Sequence, residues 1–253
     1  MTALETLLDR AAGRLAAARR VAACSGAGIS AESGVPTFRA ADGLWENFRI
    51  EEVATPEAFV GNPRKVWEFY EMRRENMQSV EPNAGHVAIA EMEALFEDLT
   101  VVTQNIDGLH QRAGSTRVLE VHGSLWRARC IDRCGHVRDP FPFPADDVPP
   151  PCVCGSVLRP EVVLFGEVPP ADVFQEATER AAAADVVLVI GTSSVVWPAA
   201  GIPLTAQSAG AVVIEVNPER TELTDRFDLS LTGPSGRILP QLLERVRELR
   251  AVA

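Results

Sequence analysis

Val21-Ala22-Ala23-Cys24-Ser25-Gly26-Ala27-Gly28-Ile29-Ser30 is the stretch on which the fold turns. Its first four residues are apolar and run almost directly into two glycines one residue apart. Four apolar residues are too few for a helix and suit a strand buried on both faces. The glycines let the chain reverse tightly or let its backbone approach a ligand. Outward from this point, similar short apolar runs occur at 99–102, 118–121, 185–190 and 211–216. The run Asp185-Val186-Val187-Leu188-Val189-Ile190 carries the strongest signal of a buried strand. Helical patterns lie between them. Leu4, Leu7, Leu8, Ala11, Leu15 and Ala18 recur at helical spacing, and 66–77, 86–96 and 235–250 read as helices. Strands alternating with helices predict an α/β fold, a Rossmann-like parallel sheet with helices on both faces.

Ligands bind such sheets beyond the carboxyl ends of the strands. Five loops follow strands here: the glycine turn, 104–110, 121–124, 191–194 and 217–219. They are expected to meet on one rim. Two stretches fall outside the rhythm. Residues 37–82 hold helical pieces and no clear strand, and residues 126–158 hold four of the five cysteines and six prolines between Pro140 and Pro151. Both read as insertions that build a smaller domain, one helical and one metal-bearing. The large domain is then assembled from residues 1–36, 83–125 and 159–253.

The net charge of -11 argues against a partner that is a phosphate backbone, so no nucleic acid is expected. The same charge suits a lysine-rich partner surface and equally serves solubility. Residues 2–20 carry charges throughout and read as an amphipathic helix, not as a signal peptide. No uncharged apolar run of about 18 residues occurs, so no membrane span is expected and the expected compartment is the cytoplasm. In that setting five cysteines do not make a disulfide framework. The oligomeric state is not set by the sequence, and a monomer is compatible with it.

The glycine turn suits either a pyrophosphate bound by backbone amides or a plain strand-to-helix reversal. It is not G-x-G-x-x-G, because position 31 is alanine. A second strand also lacks the acidic residue that a hydride-transfer enzyme places on the ribose. Gln104, Asn105 and Asp107 follow a buried strand; they fit an Asx-type turn or a site that fixes a ribose and an amide. His122 directly follows the strand 118–121 and stands either as a satisfied structural histidine or as a general base. His110 belongs to the loop that it would orient, His86 starts a helix, and His136 is a spare metal ligand. Cys130 and Cys134, then Cys152 and Cys154, form two close pairs that suit one tetrahedral Zn(II). Four thiolates leave no open position, so the zinc is expected to be structural.

Taken together, the set resembles the sirtuins, NAD-dependent protein-lysine deacylases. It comprises Gly26-Ala27-Gly28-Ile29-Ser30 with Ser33, Gly34, Pro36, Phe38 and Arg39; Thr103-Gln104-Asn105-Ile106-Asp107-Gly108-Leu109-His110; Val121-His122-Gly123-Ser124; and Gly191-Thr192-Ser193-Ser194. The resemblance runs from Val21 to about Leu242. It implies NAD as a consumed co-substrate held by Gly26, Ala27, Gly28, Ser30, Phe38, Arg39, Gln104, Asn105, Ile106, Asp107, Gly191, Thr192, Ser193, Asn217, Pro218, Glu219 and Ser235. It also implies catalytic roles for His122, Asn105 and Asp107. In that family the matching histidine deprotonates a ribose hydroxyl, after the acyl-lysine carbonyl oxygen attacks the ribose C1′ as nicotinamide leaves. The substrate is an acylated lysine of a protein, paired as a strand with segments that match 163–166 and 194–197. Val163, Phe165 and Gly166 are therefore expected to bind substrate, although Leu164 replaces a tryptophan common there. Tyr70 and Arg73, at i and i+3, match the pair that binds the acyl carboxylate in the branch that removes succinyl, malonyl and glutaryl groups, and small Ala54 widens that pocket. Their default reading is an amphipathic helix with its arginines in solvent. Two other classes are open to the same residues: a protein ADP-ribosyltransferase and an NAD-binding regulator without turnover.

Overall fold

The computed structural model describes residues 2–37, 44–45 and 48–252. The chain enters through α1 (Ala3–Ala17), whose first turn is closed by a capping box between Thr2 and Glu5. Then come β1 (Arg20–Ser25) and a 3-10 turn, Ala27–Ser33. The first insertion follows: β2 (Leu44–Trp45), β3 (Phe48–Arg49), α2 (Ile50–Val53), α3 (Pro56–Gly61) and α4 (Pro63–Met77). The chain returns through α5 (Ala84–Met92), β4 (Asp98–Thr103), α6 (Leu109–Arg112) and β5 (Val118–Glu120). The cysteine-bearing excursion is built on β6 (Gly123–Cys130), β7 (Val137–Arg138) and β8 (Leu158–Val162). The remainder is α7 (Ala171–Ala182), β9 (Val186–Ile190), α8 (Gly201–Ser208), β10 (Val212–Asn217), β11 (Leu229–Thr232) and α9 (Ser235–Val252).

Six strands form one sheet in the order β11-β10-β9-β1-β4-β5. All its pairings are parallel, with Val21 opposite both Leu99 and Val186. Successive side chains of a strand point to opposite faces, and the two cores divide accordingly. Val21, Ala23, Val186, Leu188 and Ile190 join Leu8, Leu15, Ile89, Met92, Ile238 and Leu242 under α1, α5 and α9. Ala22, Cys24, Val187 and Val189 join Ala177, Ala181, Ile202 and Ala206 under α7 and α8. This is the α/β sheet with helices on both faces that the apolar runs predict.

The chain leaves β1 towards β4 and β5 on one side, then crosses back to β9, β10 and β11 on the other. The order therefore switches beside β1, where a doubly wound sheet opens its ligand crevice. A third core belongs to the smaller part of the molecule. It gathers Val53, Phe59, Trp67, Phe69, Tyr70, Leu125, Cys130, Phe141, Cys152 and Leu158 from both insertions and from the strands that flank them.

The structure adds elements that the sequence pattern does not show. The expectation of no clear strand in 37–82 is corrected by the two-residue antiparallel pair β2–β3, too short to leave a period. β11 is an edge strand of alternating Leu229-Ser230-Leu231-Thr232, half of whose residues are polar. The expected helix 86–96 ends at Met92 and finishes in a 3-10 turn, Glu93–Leu95. Among the described residues no helix is long and apolar enough to cross a membrane.

Candidate functional site

Because the sheet strands are parallel, the loops that leave their carboxyl ends gather on one rim. Two of them touch directly across the switch point. The Gly28 N–H donates to the Gly191 carbonyl at 2.7 Å. A Cβ on Gly28 would stand 2.6 Å from that carbonyl oxygen and 2.8 Å from the Gly191 Cα, which are backbone atoms and cannot swing aside. Gly191 has φ +57° and would drive a Cβ into the Gly28–Ile29 peptide. Glycine is therefore required on both sides of the contact. Asn217 at the end of β10 extends the join, its Nδ2 donating to the Thr192 carbonyl at 2.8 Å.

The polar loop after β4 folds onto the glycine turn. Asn105 Nδ2 donates to the Gly26 carbonyl at 3.2 Å and to Ser30 Oγ at 3.1 Å. Ser30 Oγ in turn donates to Asp107 Oδ2 at 2.7 Å. The other oxygen of Asp107 accepts the Leu109 N–H at 2.9 Å, an Asx-type turn that starts α6. The turn and the candidate site are thus one structure. Gln104 Nε2 lies 3.3 Å from Thr192 Oγ1. Ile106 packs on the smaller core, and its carbonyl accepts the Leu125 N–H.

His122 stands half-buried at the turn from β5 into β6. Its Nδ1 is 3.1 Å from the Gln104 carbonyl, so the polar loop orients the ring. Burial lowers its pKa, and the Gln104 carbonyl partly offsets that. The other two buried histidines are more deeply embedded. His110 Nε2 is 2.9 Å from Ser25 Oγ, as a residue that orients its loop should be, and burial pushes it down to about 3. His86 is more than the start of a helix: it completes the capping box with Asn83 and reaches Ser30 Oγ at 3.4 Å, and burial lowers it to about 4.

Other expected co-substrate residues lie on or beside this rim. Ala27 is half-buried in the glycine turn; Ser193, Pro218 and Glu219 are exposed on their loops. Ser235 begins α9, and its hydroxyl lies 3.2 Å from Glu32, whose carboxylate also takes the Gly236 N–H at 2.7 Å. Phe38 and Arg39 lie outside the described residues.

The four cysteines meet. Cys130 Sγ is 3.6 Å from Cys154 Sγ, Cys134 Sγ is 3.6 Å from Cys152 Sγ, and Cys152 and Cys154 are 3.5 Å apart. All four sulfurs fall within 4.8 Å of one another. A disulfide needs about 2.05 Å, whereas tetrahedral Zn–S bonds of about 2.3 Å place sulfurs about 3.8 Å apart. The donor set fits zinc, and the tight Cys-Val-Cys spacing does not prevent it. The set is complete without His136, whose contribution there is a backbone carbonyl that accepts the Cys130 N–H.

Tyr70 and Arg73 lie on α4 as the periodicity predicts, but not on a solvated face: Tyr70 is 2% exposed and Arg73 half-buried. Burial pushes the Tyr70 hydroxyl up to about 12, while Arg73 and Arg159 act in the opposite sense. Ala54 is buried and its carbonyl accepts the Phe165 N–H at 2.9 Å, which joins the end of α2 to the segment 163–166. Val163 N–H donates to the His122 carbonyl at 2.9 Å, so that segment is also tied to the candidate base. Gly166, at its end, is exposed with φ +90°. The sequence reading missed the brace beneath it. Arg159 binds both oxygens of Glu167, at 2.8 and 2.9 Å, and the Glu167 carboxylate takes the Leu164 N–H at 2.9 Å. It also missed Trp126, whose Nε1 donates to the Asp107 carbonyl at 2.9 Å. Neither partner carries a local signal, because each is defined only by the fold.

Known proteins share this architecture. A model of the Sir2 family matches residues 26–198. NAD-dependent protein deacylase 2 of Pyrobaculum aerophilum is 51% identical over 234 residues, which cover 92% of this chain and 93% of that protein. A Sir2 homologue solved as its NAD complex matches with a TM-score of 0.86 and 44% identity over 98% of this chain and 95% of its own. A Sir2 protein bound to a myristoylated histone peptide matches at 0.77 and 40%, over 98% and 100% of the two chains. With half the residues of a full-length relative identical, and the glycine turn, polar loop and His122 inside the matched span, the chain belongs to the Sir2 family.

Proposed function

We propose that the protein is an NAD-dependent protein-lysine deacylase that yields nicotinamide and O-acyl-ADP-ribose. We further propose that it removes succinyl and malonyl groups as well as acetyl. The state of His122 carries the first part. A carbonyl oxygen only accepts, so the Gln104 carbonyl at 3.1 Å fixes the proton on Nδ1. Nε2 then keeps its lone pair, and burial keeps the ring neutral near neutral pH. A neutral imidazole held by one nitrogen is a general base at the other.

Bound NAD supplies a glycosidic carbon, C1′, with nicotinamide as its leaving group. Gly26, Ala27 and Gly28 present backbone to the pyrophosphate, and Phe38 and Arg39 are assigned to the same co-substrate. Ser30, Asn105 and Asp107 fix the nicotinamide and its ribose through the network that they already share. Gln104, Ile106, Gly191, Thr192, Ser193, Asn217, Pro218, Glu219 and Ser235 line the rest. His122 takes a ribose hydroxyl proton on Nε2. Zinc bound by Cys130, Cys134, Cys152 and Cys154 holds the small domain together and touches no reacting atom. The acylated peptide lies along 163–166 and 194–197; the relative that holds a myristoylated histone peptide supports an acyl-lysine substrate. Mass spectrometry after reaction with NAD and an acyl-lysine peptide tests this. Nicotinamide without O-acyl-ADP-ribose, with ADP-ribose left on protein, marks a transferase instead; no nicotinamide at all marks a non-catalytic NAD binder.

The acidic-acyl part rests on Tyr70 and Arg73. Burial keeps the Tyr70 hydroxyl protonated, as a donor beside a guanidinium, and the two suit a carboxylate. Arg73→Met should lower kcat/KM for succinyl-lysine by about 10- to 150-fold relative to acetyl-lysine, the range of one charge-assisted hydrogen bond. Equal losses for both peptides would make Arg73 structural.

A further inference from the structure

Arg74 has no task in that reading, yet it is 1% exposed, more deeply buried than any other arginine among the described residues. A guanidinium is costly to bury unless it is paired, and burial indeed lowers its pKa. Its partners outside α4 come from one place. Nη2 donates to the Phe141 carbonyl at 2.7 Å and to the Pro142 carbonyl at 2.8 Å. Nη1 pairs with Glu71 Oε1. Glu71 Oε2 accepts the Ala145 N–H at 3.0 Å. The guanidinium carbon lies 5.5, 5.0 and 5.1 Å from the rings of Trp126, Phe141 and Phe143. Residues 141–145 lie between the two cysteine pairs, and Trp126 is on β6, the strand that ends in Cys130. Arg74 thus plugs α4 into the segment that the zinc knot encloses.

A leucine or methionine would fill the same volume. What the guanidinium adds is direction: the Phe141 and Pro142 carbonyls, with the Ala145 N–H on Glu71, fix both the rotation of α4 and its position along its axis. Tyr70 and Arg74 are four residues apart on a buried stripe with Trp67, whose Nε1 donates to the Leu158 carbonyl at 2.9 Å. Arg73 is the adjacent residue. A turn of the helix that moved Arg74 would carry Tyr70 and Arg73 with it.

We propose that Arg74 is a positioning residue for acyl specificity: through it the zinc-bearing module sets where Tyr70 and Arg73 stand. The inference rests on the acidic-acyl reading above. The test compares Arg74→Met and Arg73→Met with the native enzyme, measuring kcat and KM separately for succinyl-lysine and acetyl-lysine peptides. Zinc content and the far-UV circular dichroism spectrum are recorded for each. Arg74→Met is expected to keep its zinc and its spectrum. It should raise the succinyl KM at least about tenfold, the low end for one charge-assisted hydrogen bond, with little change in acetyl kcat. Parallel changes for both peptides, or none, overturn the proposal. If Arg74→Met does not fold, Glu71→Gln decides: it removes the ionic partner and keeps an acceptor for Ala145. A smaller shift of the succinyl-to-acetyl ratio in the same direction supports the proposal, and an unchanged ratio overturns it. If Arg73→Met fails to alter the ratio, the acidic-acyl reading itself is lost. If Arg73→Met alters it and the Arg74 and Glu71 variants do not, only the positioning role is lost.

Discussion

Acid should destabilise this protein well above the carboxylate range, because its buried histidines are held neutral. Burial lowers His86 to about 4 and His110 to about 3, from an ordinary 6.5, and lowers His122 as well. A histidine depressed in the folded state is protonated first in the unfolded one. Below pH 6.5 the unfolded chain therefore binds more protons, and stability falls as pH falls. Each such proton is worth about 1.4 kcal/mol per pH unit. Between pH 6.5 and pH 5, still above the folded-state values of both rings, His86 and His110 together cost about 3 kcal/mol, because the unfolded rings are only half protonated at pH 6.5. That is a large share of a typical net stability of about 5–15 kcal/mol. The two rings lie edge to face with centroids 5.0 Å apart, so the charging of one also opposes that of the other. Glu120 acts in the opposite sense, because burial raises its pKa and its protonation favours the folded state. Glu167, held low by Arg159, adds to the loss only below about pH 4.5, the ordinary range of a glutamate. Urea unfolding at pH 7.5, 6.5, 5.5 and 5.0 would show the loss as a falling midpoint at constant slope. The comparison with one ring removed is His110→Gln, whose stability should fall less steeply with pH. A midpoint that does not move between pH 7 and pH 5 would refute the reasoning, since neutral burial of these rings could not then be the folded state.

Four further outcomes follow from the geometry. His122→Ala should lower deacylation, read as O-acyl-ADP-ribose formed, by about two to four orders of magnitude, while NAD still raises the melting temperature; near-normal turnover would remove His122 from the chemistry. Gly28→Ala forces two backbone segments apart at a cost of about 1–3 kcal/mol. A cost of that size lowers Tm by about 2–12 °C and should weaken NAD binding in calorimetry; unchanged values would mean that the loops give way freely. Metal analysis should find one zinc per chain, and chelation should abolish activity together with the small-domain structure; a folded, active, zinc-free protein would contradict the cysteine assignment. Glu167→Gln leaves Arg159 buried without its ionic partner, at a cost of about 3–5 kcal/mol, and should raise peptide KM more than NAD KM.

The parts of the site that are legible in the sequence are those with local causes. A buried strand needs a continuous apolar run, and a parallel sheet sends every following loop to the same rim. Gly26, Gln104, His122, Gly191 and Asn217 each stand just past such a run, so their order along the chain is enough to bring them together. The cysteines show themselves because thiolates for one metal come in close pairs. The same logic explains the losses. Leu229-Ser230-Leu231-Thr232 lies at the sheet edge, where half its side chains are polar, so no apolar run marks it. Tyr70 and Arg73 read as an ordinary amphipathic face by periodicity; what sets them apart is burial, which comes from a core drawn from both insertions. Arg159 with Glu167, and Arg74 with Phe141 and Pro142, are paired across the fold or across a turn without any residue pattern that announces the pairing. Buried charge of this kind is costly wherever it is not fully bonded. It lies beneath the segment 163–166 and behind α4. The rim is written in short motifs, and the braces behind it are written in long-range contacts.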